Sequence, residues 1–161
     1  MMVRLERGEQ EVCEYLAKER YNNARRKGVP RGKKGPQSDY ETDLEGIASE
    51  LAAAKLLNVW PDMKIGEAPA HDLLVGSYTV DVKTTKYRTG KLIAALDKKN
   101  KPCDYYMLML GTFPEYSLGG FCRKEELLNE HTITNLGRGQ LHALEQYQLM
   151  SLDEFKKETM L

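Results

Sequence analysis

The chain predicts an α/β fold, a mixed sheet of about four or five strands with helices packed around it. Three stretches carry that prediction. Residues 39–58 form an Ala- and Leu-rich run with no Gly or Pro after Gly46, opened by Ser38-x-x-Glu41 and Thr42-x-x-Glu45, both of capping-box form. Residues 73–75 and 78–83 are short β-branched and aromatic runs separated by Gly76-Ser77, a dipeptide suited to a type II′ hairpin turn. Residues 104–110 are dense in Tyr, Met and Leu, as expected of a central strand buried on both faces.

The other elements follow in order. Residues 5–27 predict a helix whose apolar stripe is Leu5, Val12, Leu16 and Ala24, with Tyr15 and Tyr21 as packing residues. Gly28-Val29-Pro30 ends it, and the Gly-, Pro- and Lys-rich stretch through Gln37 reads as a loop. After the hairpin, residues 92–96 predict a third strand, with a short helix as the alternative, and 97–102 a turn. Residues 116–122 predict the next strand, interrupted by Gly119-Gly120, and 123–130 a short helix. Residues 131–139 are polar and carry no assignment. An edge strand is expected over 147–150, and Ser151-x-x-Glu154 opens a C-terminal helix.

A length of 161 residues suits one domain with a sizeable core. Within it, 1–37 supply an N-terminal helix and basic loop, 38–128 the core, and 129–161 the C-terminal elements. No apolar run is long enough to span a membrane, and the first residues lack the apolar segment of a signal peptide, so a cytoplasmic protein is expected. Cys13, Cys103 and Cys122 are odd in number and form no C-x-x-C, which argues against a disulfide framework or a zinc site and for reduced, buried thiols. The 24 basic and 24 acidic residues cancel, so whole-chain charge does not favour a polyanion. Their distribution does. Between 18 and 35, Lys18, Arg20, Arg25, Arg26, Lys27, Arg31, Lys33 and Lys34 stand against Glu19 alone, enough to neutralise several phosphates or to serve as a solvated tail.

A turn centred on Gly76-Ser77 places Asp72 opposite Asp81, where two like charges destabilise a cross-strand pair unless a counter-charge lies between them. Two such carboxylates suit a divalent cation. Period-2 alternation puts Lys83 on the face of Asp81 and sends Val80 and Val82 into a core. Mg²⁺ takes oxygen ligands and keeps several waters, and an ammonium beside it can orient water or offset charge growing on a phosphate. By itself D-x8-D-x-K also describes an exposed polar hairpin face. The preceding helix shifts the balance: Glu50 has Gly46, Ile47, Ala53 and Ala54 at its i±3 and i±4 positions, a small and apolar surface that lets the helix approach a sheet closely. Glu45, among Glu41, Thr42, Ala48 and Ser49, reads as a solvent face and ranks second.

These residues, G-I-A-S-E-L-A-A-A-K-L-L, H-D-L-L-V and V-D-V-K-T-T, resemble the PD-(D/E)XK or restriction-endonuclease-like nucleases. The likeness spans residues 39–128, with D-Y-Y-M-L-M-L and Y-S-L-G-G-F-C-R-K-E-E-L-L similar to that family's closing strands and docking helix. His71 stands where the family often has proline. The resemblance implies a metal-dependent DNA nuclease, an endonuclease leaving a 5′-phosphate and a 3′-hydroxyl. It implies catalytic roles for Glu50, Asp72, Asp81 and Lys83, with Mg²⁺ or Mn²⁺ held by Asp72, Asp81, Glu50 and a main-chain carbonyl near Val82. Lys83 would position the water or stabilise the pentavalent phosphoryl group.

Arg25, Arg26, Lys33, Lys34, Lys86, Arg88 and Lys91 are the expected phosphate contacts. A non-catalytic nucleic-acid-binding or assembly protein on the same fold is the alternative. Within the nuclease class, a structure-selective junction resolvase would imply a symmetric homodimer. His131 and His142 have no partner at metal-ligand spacing, there is no G-x-x-x-x-G-K-[ST] loop, and no nucleophile has an evident histidine base.

Overall fold

The computed structural model describes residues 1–28, 38–65, 71–97 and 103–161. Helix α1 (Arg7–Arg26) and helix α2 (Asp39–Leu57) pack side by side. Ser38 caps α2 as expected: its hydroxyl accepts from the Glu41 N–H at 3.2 Å, and the Glu41 carboxylate accepts from the Ser38 N–H at 2.7 Å. The second capping box does not form, because Thr42 already lies inside the helix and donates its hydroxyl proton to the Ser38 carbonyl. Asn58 closes α2 with φ of 55°, a left-handed conformation that Asn tolerates.

The stripe of α1 differs from expectation. Cys13, Leu16 and Ala17 are buried, whereas Val12 is exposed and Tyr15 projects into solvent. One position along a helix turns the face by about 100°, so a stripe anchored on Leu5 was misphased. Leu5 is fully buried, but it precedes the helix and follows strand β1 (Met2–Arg4), which the sequence did not reveal.

Strand β1 pairs with β6 (Glu115–Arg123), which pairs with β5 (Tyr105–Thr112), then β3 (Tyr78–Thr85) and β2 (Leu73–Val75). Only β3 and β5 run parallel in this five-stranded sheet, so the mixed α/β class holds. The hairpin register is the expected one, Leu73 opposite Val80 and Val75 opposite Tyr78. Gly76 has φ of 62° while Ser77 stays at negative φ, as a type II′ turn requires and a type I′ turn does not. At Gly119-Gly120 the β5–β6 register shifts by one residue. Gly120 has φ of 139°, and a Cβ there would lie 2.5 Å from that of Leu149, so the bulge brings the chain end against the sheet.

Strand β4 (Leu92–Ala94) forms, but not in the main sheet. It joins β8 (Gln140–Leu144) and β7 (Ile133–Asn135) in a separate three-stranded sheet. The edge strand expected at 147–150 is instead a 3-10 turn, Gln146–Gln148, with Met150 alone bridging to Phe121. Helices α3 (Lys124–Leu127) and α4 (Leu152–Thr159) complete the chain, α4 opening on the predicted Ser151–Glu154 capping box. The basic loop and most of the 97–102 turn lie outside the described residues.

Two cores flank the main sheet. Val80, Val82, Tyr105, Met107 and Met109 meet α1, α2 and α4 on one face. Tyr106, Leu108, Leu110 and Cys122 meet α3 and the small sheet, through Leu92, Ala94, Leu127 and Leu144, on the other. Strand β5 is thus buried on both sides, as its composition predicts. All three cysteines are free and buried. Among the described residues no helix is long and apolar enough to cross a membrane.

Candidate functional site

Pairing in the hairpin stops at Leu73 opposite Val80. The Asp72 N–H bonds to the Val80 carbonyl at 3.2 Å, and the Asp72 carboxylate turns to accept the Val82 N–H at 2.7 Å. Asp72 therefore does not sit in a plain ladder pair with Asp81. Its side chain takes the place of a strand neighbour, satisfying a backbone donor that the short β2 leaves open. Asp81 and Lys83 align with Tyr106 and Leu108 in the parallel ladder and share their face of the sheet, while Val80 and Val82 face α2. Asp81 is 5% exposed. One of its carboxylate oxygens is buried without a hydrogen bond, its counter-charge being the Lys83 ammonium in direct ion-pair contact. That ammonium also lies 5.8 Å from the centre of the Tyr106 ring.

Glu50 reaches this region from α2, whose buried Ile47, Ala48, Ser49, Ala52, Ala53 and Ala54 allow the close approach expected of small residues. Its carboxyl pKa is pushed up to about 8, first by burial and then by the charge of Asp72, with Asp81 and Asp62 adding smaller effects and Arg20 opposing them. Asp72 and Asp81 are thus electrically close to Glu50, Asp72 more so. Arg20 of α1 stands 4.0 Å from the Glu50 carboxylate and donates to the Asp62 and Lys64 carbonyls at 3.3 and 3.1 Å, tying residues 62–64 to the helix pair.

A carboxyl whose folded pKa exceeds its unfolded value near 4.5 favours folding fully below that value and loses the contribution as pH rises toward 8. Glu50→Gln removes the loss. In buffer with a chelator the variant is expected to be more stable than the parent by roughly 4 kcal/mol at pH 8, with the gap closing toward pH 5. Urea melts across that range check it; a gap that does not change with pH would place Glu50 in an ordinary solvated setting.

Glu50 and Lys83 line one cleft of about 510 Å³, bounded by α2, the C-terminal half of β3, the end of β5 and the β7–β8 turn. Lys86 and Tyr87 stand on its wall, and Arg138 reaches it from between Gly137 and Gly139. Several expected phosphate contacts are placed differently. Arg25 pairs with Asp39 at 3.5 Å across the α1–α2 contact, and Lys91 pairs with Glu145 at 2.6 Å. Arg26 and Arg88 are exposed outside the cleft lining, and Lys33 and Lys34 lie outside the described residues.

Glu45 is not a solvent residue. It accepts from the Phe113 N–H at 3.0 Å and from the Tyr116 hydroxyl at 2.6 Å, clamping the β5–β6 turn onto α2. Its helical neighbours gave no sign of this, because both donors come from strands far along the chain. Arg20, Asp62 and Arg138 also escaped sequence reasoning: Arg20 sits in a run of cations, and Arg138 in a Gly-Arg-Gly too short for a phosphate loop. His131 is exposed beside Glu130, a surface residue, whereas buried His142 shares a hydrogen bond with the Thr132 hydroxyl at 2.8 Å and acts structurally.

The donors available here, Asp72, Asp81, Glu50 and the backbone beside Val82, are all oxygen, the kind a hard divalent cation takes. The buried Asp81 oxygen is the one that the Lys83 ammonium contacts, so an ion bound there would share or displace that ammonium. As the side chains stand, no three His, Cys, Asp or Glu groups among the described residues are placed to share one ion. No family model, curated protein or solved structure matches the chain.

Proposed function

We propose that the protein is a divalent-metal-dependent phosphodiesterase acting on DNA, built on a restriction-endonuclease-like core. One observation carries the reading: Glu50 lines one cleft with Lys83, whose ammonium contacts Asp81, and the charges of Asp72 and Asp81 both act on the Glu50 carboxyl. Paired acids at such a site work against a polyanion unless a cation joins them. Asp72, Asp81, Glu50 and the Val82 carbonyl would hold Mg²⁺ or Mn²⁺, which when bound supplies Lewis acidity toward the phosphate and a more acidic water. Lys83 orients the attacking water or meets the negative charge that develops on the phosphoryl oxygens. Lys86 and Arg138, on the cleft wall, draw the backbone of the nucleic acid alongside.

A second reading, a nucleic-acid-binding protein without catalysis, is favoured by two features. Lys83 already neutralises Asp81, and no three ligand groups converge among the described residues. Incubating supercoiled, linear and single-stranded DNA with the protein in Mg²⁺ or Mn²⁺ separates the two. Cleavage abolished by EDTA and by Asp81→Ala is the expected result, with the preferred substrate distinguishing endonuclease from exonuclease action. Intact DNA throughout, with no heat of Mg²⁺ binding by calorimetry, would transfer the assignment to the second reading.

A further inference from the structure

A second, open concavity of about 750 Å³ is lined by Trp60, Met63 and Leu74 together with Asp72. Trp60 is the chain's single tryptophan and is 84% exposed; Leu74, on the outward face of β2, is 55% exposed. An indole face left in water is costly, and this one stands beside a candidate metal ligand. Its loop is not loose, since Arg20 grips the Asp62 and Lys64 carbonyls while facing Glu50. Residues 62–64, which follow the indole, are thereby tied to the helix that carries Arg20 and to the side of Glu50.

We infer that Trp60 is a stacking platform for an unpaired nucleobase of a single-stranded polynucleotide whose backbone passes the Glu50–Asp72–Lys83 site. The inference rests on reading that site as one for nucleic acid and adds the substrate class. Charge decides which part of the strand meets this face. Asp62 repels phosphate here, and among the described residues lining the concavity Lys64 is the one lysine or arginine. A base, neutral and flat, suits Trp60, Met63 and Leu74, while the phosphates follow the Lys83, Lys86 and Arg138 side of the cleft. Bases within a duplex are already stacked on their neighbours, so an indole face selects unpaired ones, and every base offers a π-face to it.

The single tryptophan makes the test direct. The full chain is titrated with an oligothymidylate about twelve residues long, with an oligouridylate and with a duplex of equal length, in Ca²⁺ to keep strands uncut, following indole fluorescence and labelled-strand anisotropy. Saturable quenching by single strands and several-fold weaker binding of duplex are expected, the thymidine and uridine arms telling DNA from RNA. Trp60→Ala should weaken single-strand binding about tenfold with an unchanged circular dichroism spectrum, and Trp60→Phe should restore most of it. A bound strand that leaves the indole unquenched, or Trp60→Ala binding as tightly as the parent, overturns the inference and gives the face to a protein partner. Failure here is distinguishable from failure of the nuclease reading. A strand cut in Mg²⁺ without quenching removes the platform alone, and one that quenches but is never cut removes catalysis alone.

Discussion

Lys83→Gln is expected to lower metal-dependent cleavage by about 10²–10³-fold, the loss typical when one group aimed at developing charge is removed. Glutamine is the informative choice. Lys83 is the counter-charge of a carboxylate that is 5% exposed, and an apolar replacement would leave that charge buried alone, a defect worth about 3–5 kcal/mol. The amide of Gln keeps a donor for Asp81 while removing the positive charge, so the rate falls more than the fold suffers. Single-turnover cleavage alongside a thermal melt measures both. Parent-like cleavage by a folded Lys83→Gln would show that the ammonium serves Asp81 only, and would leave the proposed chemistry without its cation.

Phe155→Ala should destabilise the chain by about 3–5 kcal/mol, the range for emptying a buried aromatic site. Phe155 is fully buried, stacked on Phe121 with centroids 4.1 Å apart and edge-on to Tyr105 at 5.1 Å. It is the means by which α4, of only eight residues, holds to the sheet. Around it the Tyr105 hydroxyl and the Arg123 guanidinium both donate to Glu158, at 2.5 and 2.6 Å. Those polar contacts are partly solvated and contribute less. Urea denaturation would report the loss as a lower midpoint with a similar slope, and a change below about 1 kcal/mol would mean that α4 is held chiefly by the Glu158 contacts.

Where a residue's own neighbours decide its state, the sequence was enough. Ser38 and Ser151 cap helices because their partners lie three residues on, and Gly76-Ser77 sets the hairpin register because a two-residue loop leaves little freedom. The apolar content of β5 placed it at the centre of the sheet, and the small residues around Glu50 marked the helix face that packs closely. Aspartate, glutamate and lysine were legible as a candidate site for the same reason, since helix and strand periodicity sort faces from spacing alone.

What only the tertiary structure decided depends on partners remote in sequence. Strand β1 has three residues and exists because β6 offers an edge, and β4, equally short, joins β8 instead of the main sheet. Three residues carry too little pattern to name their neighbour. Glu45 became a clamp when Phe113 and Tyr116 arrived, Asp72 left the ladder to satisfy Val82, and Arg20 joined Glu50 to the Trp60 loop. In each case a polar group near the interior took the nearest partner the fold supplied, because leaving it unmet costs about 1–3 kcal/mol. Local pattern determines which elements form and which faces turn inward; long-range hydrogen bonding and charge determine which side chains those faces bring together.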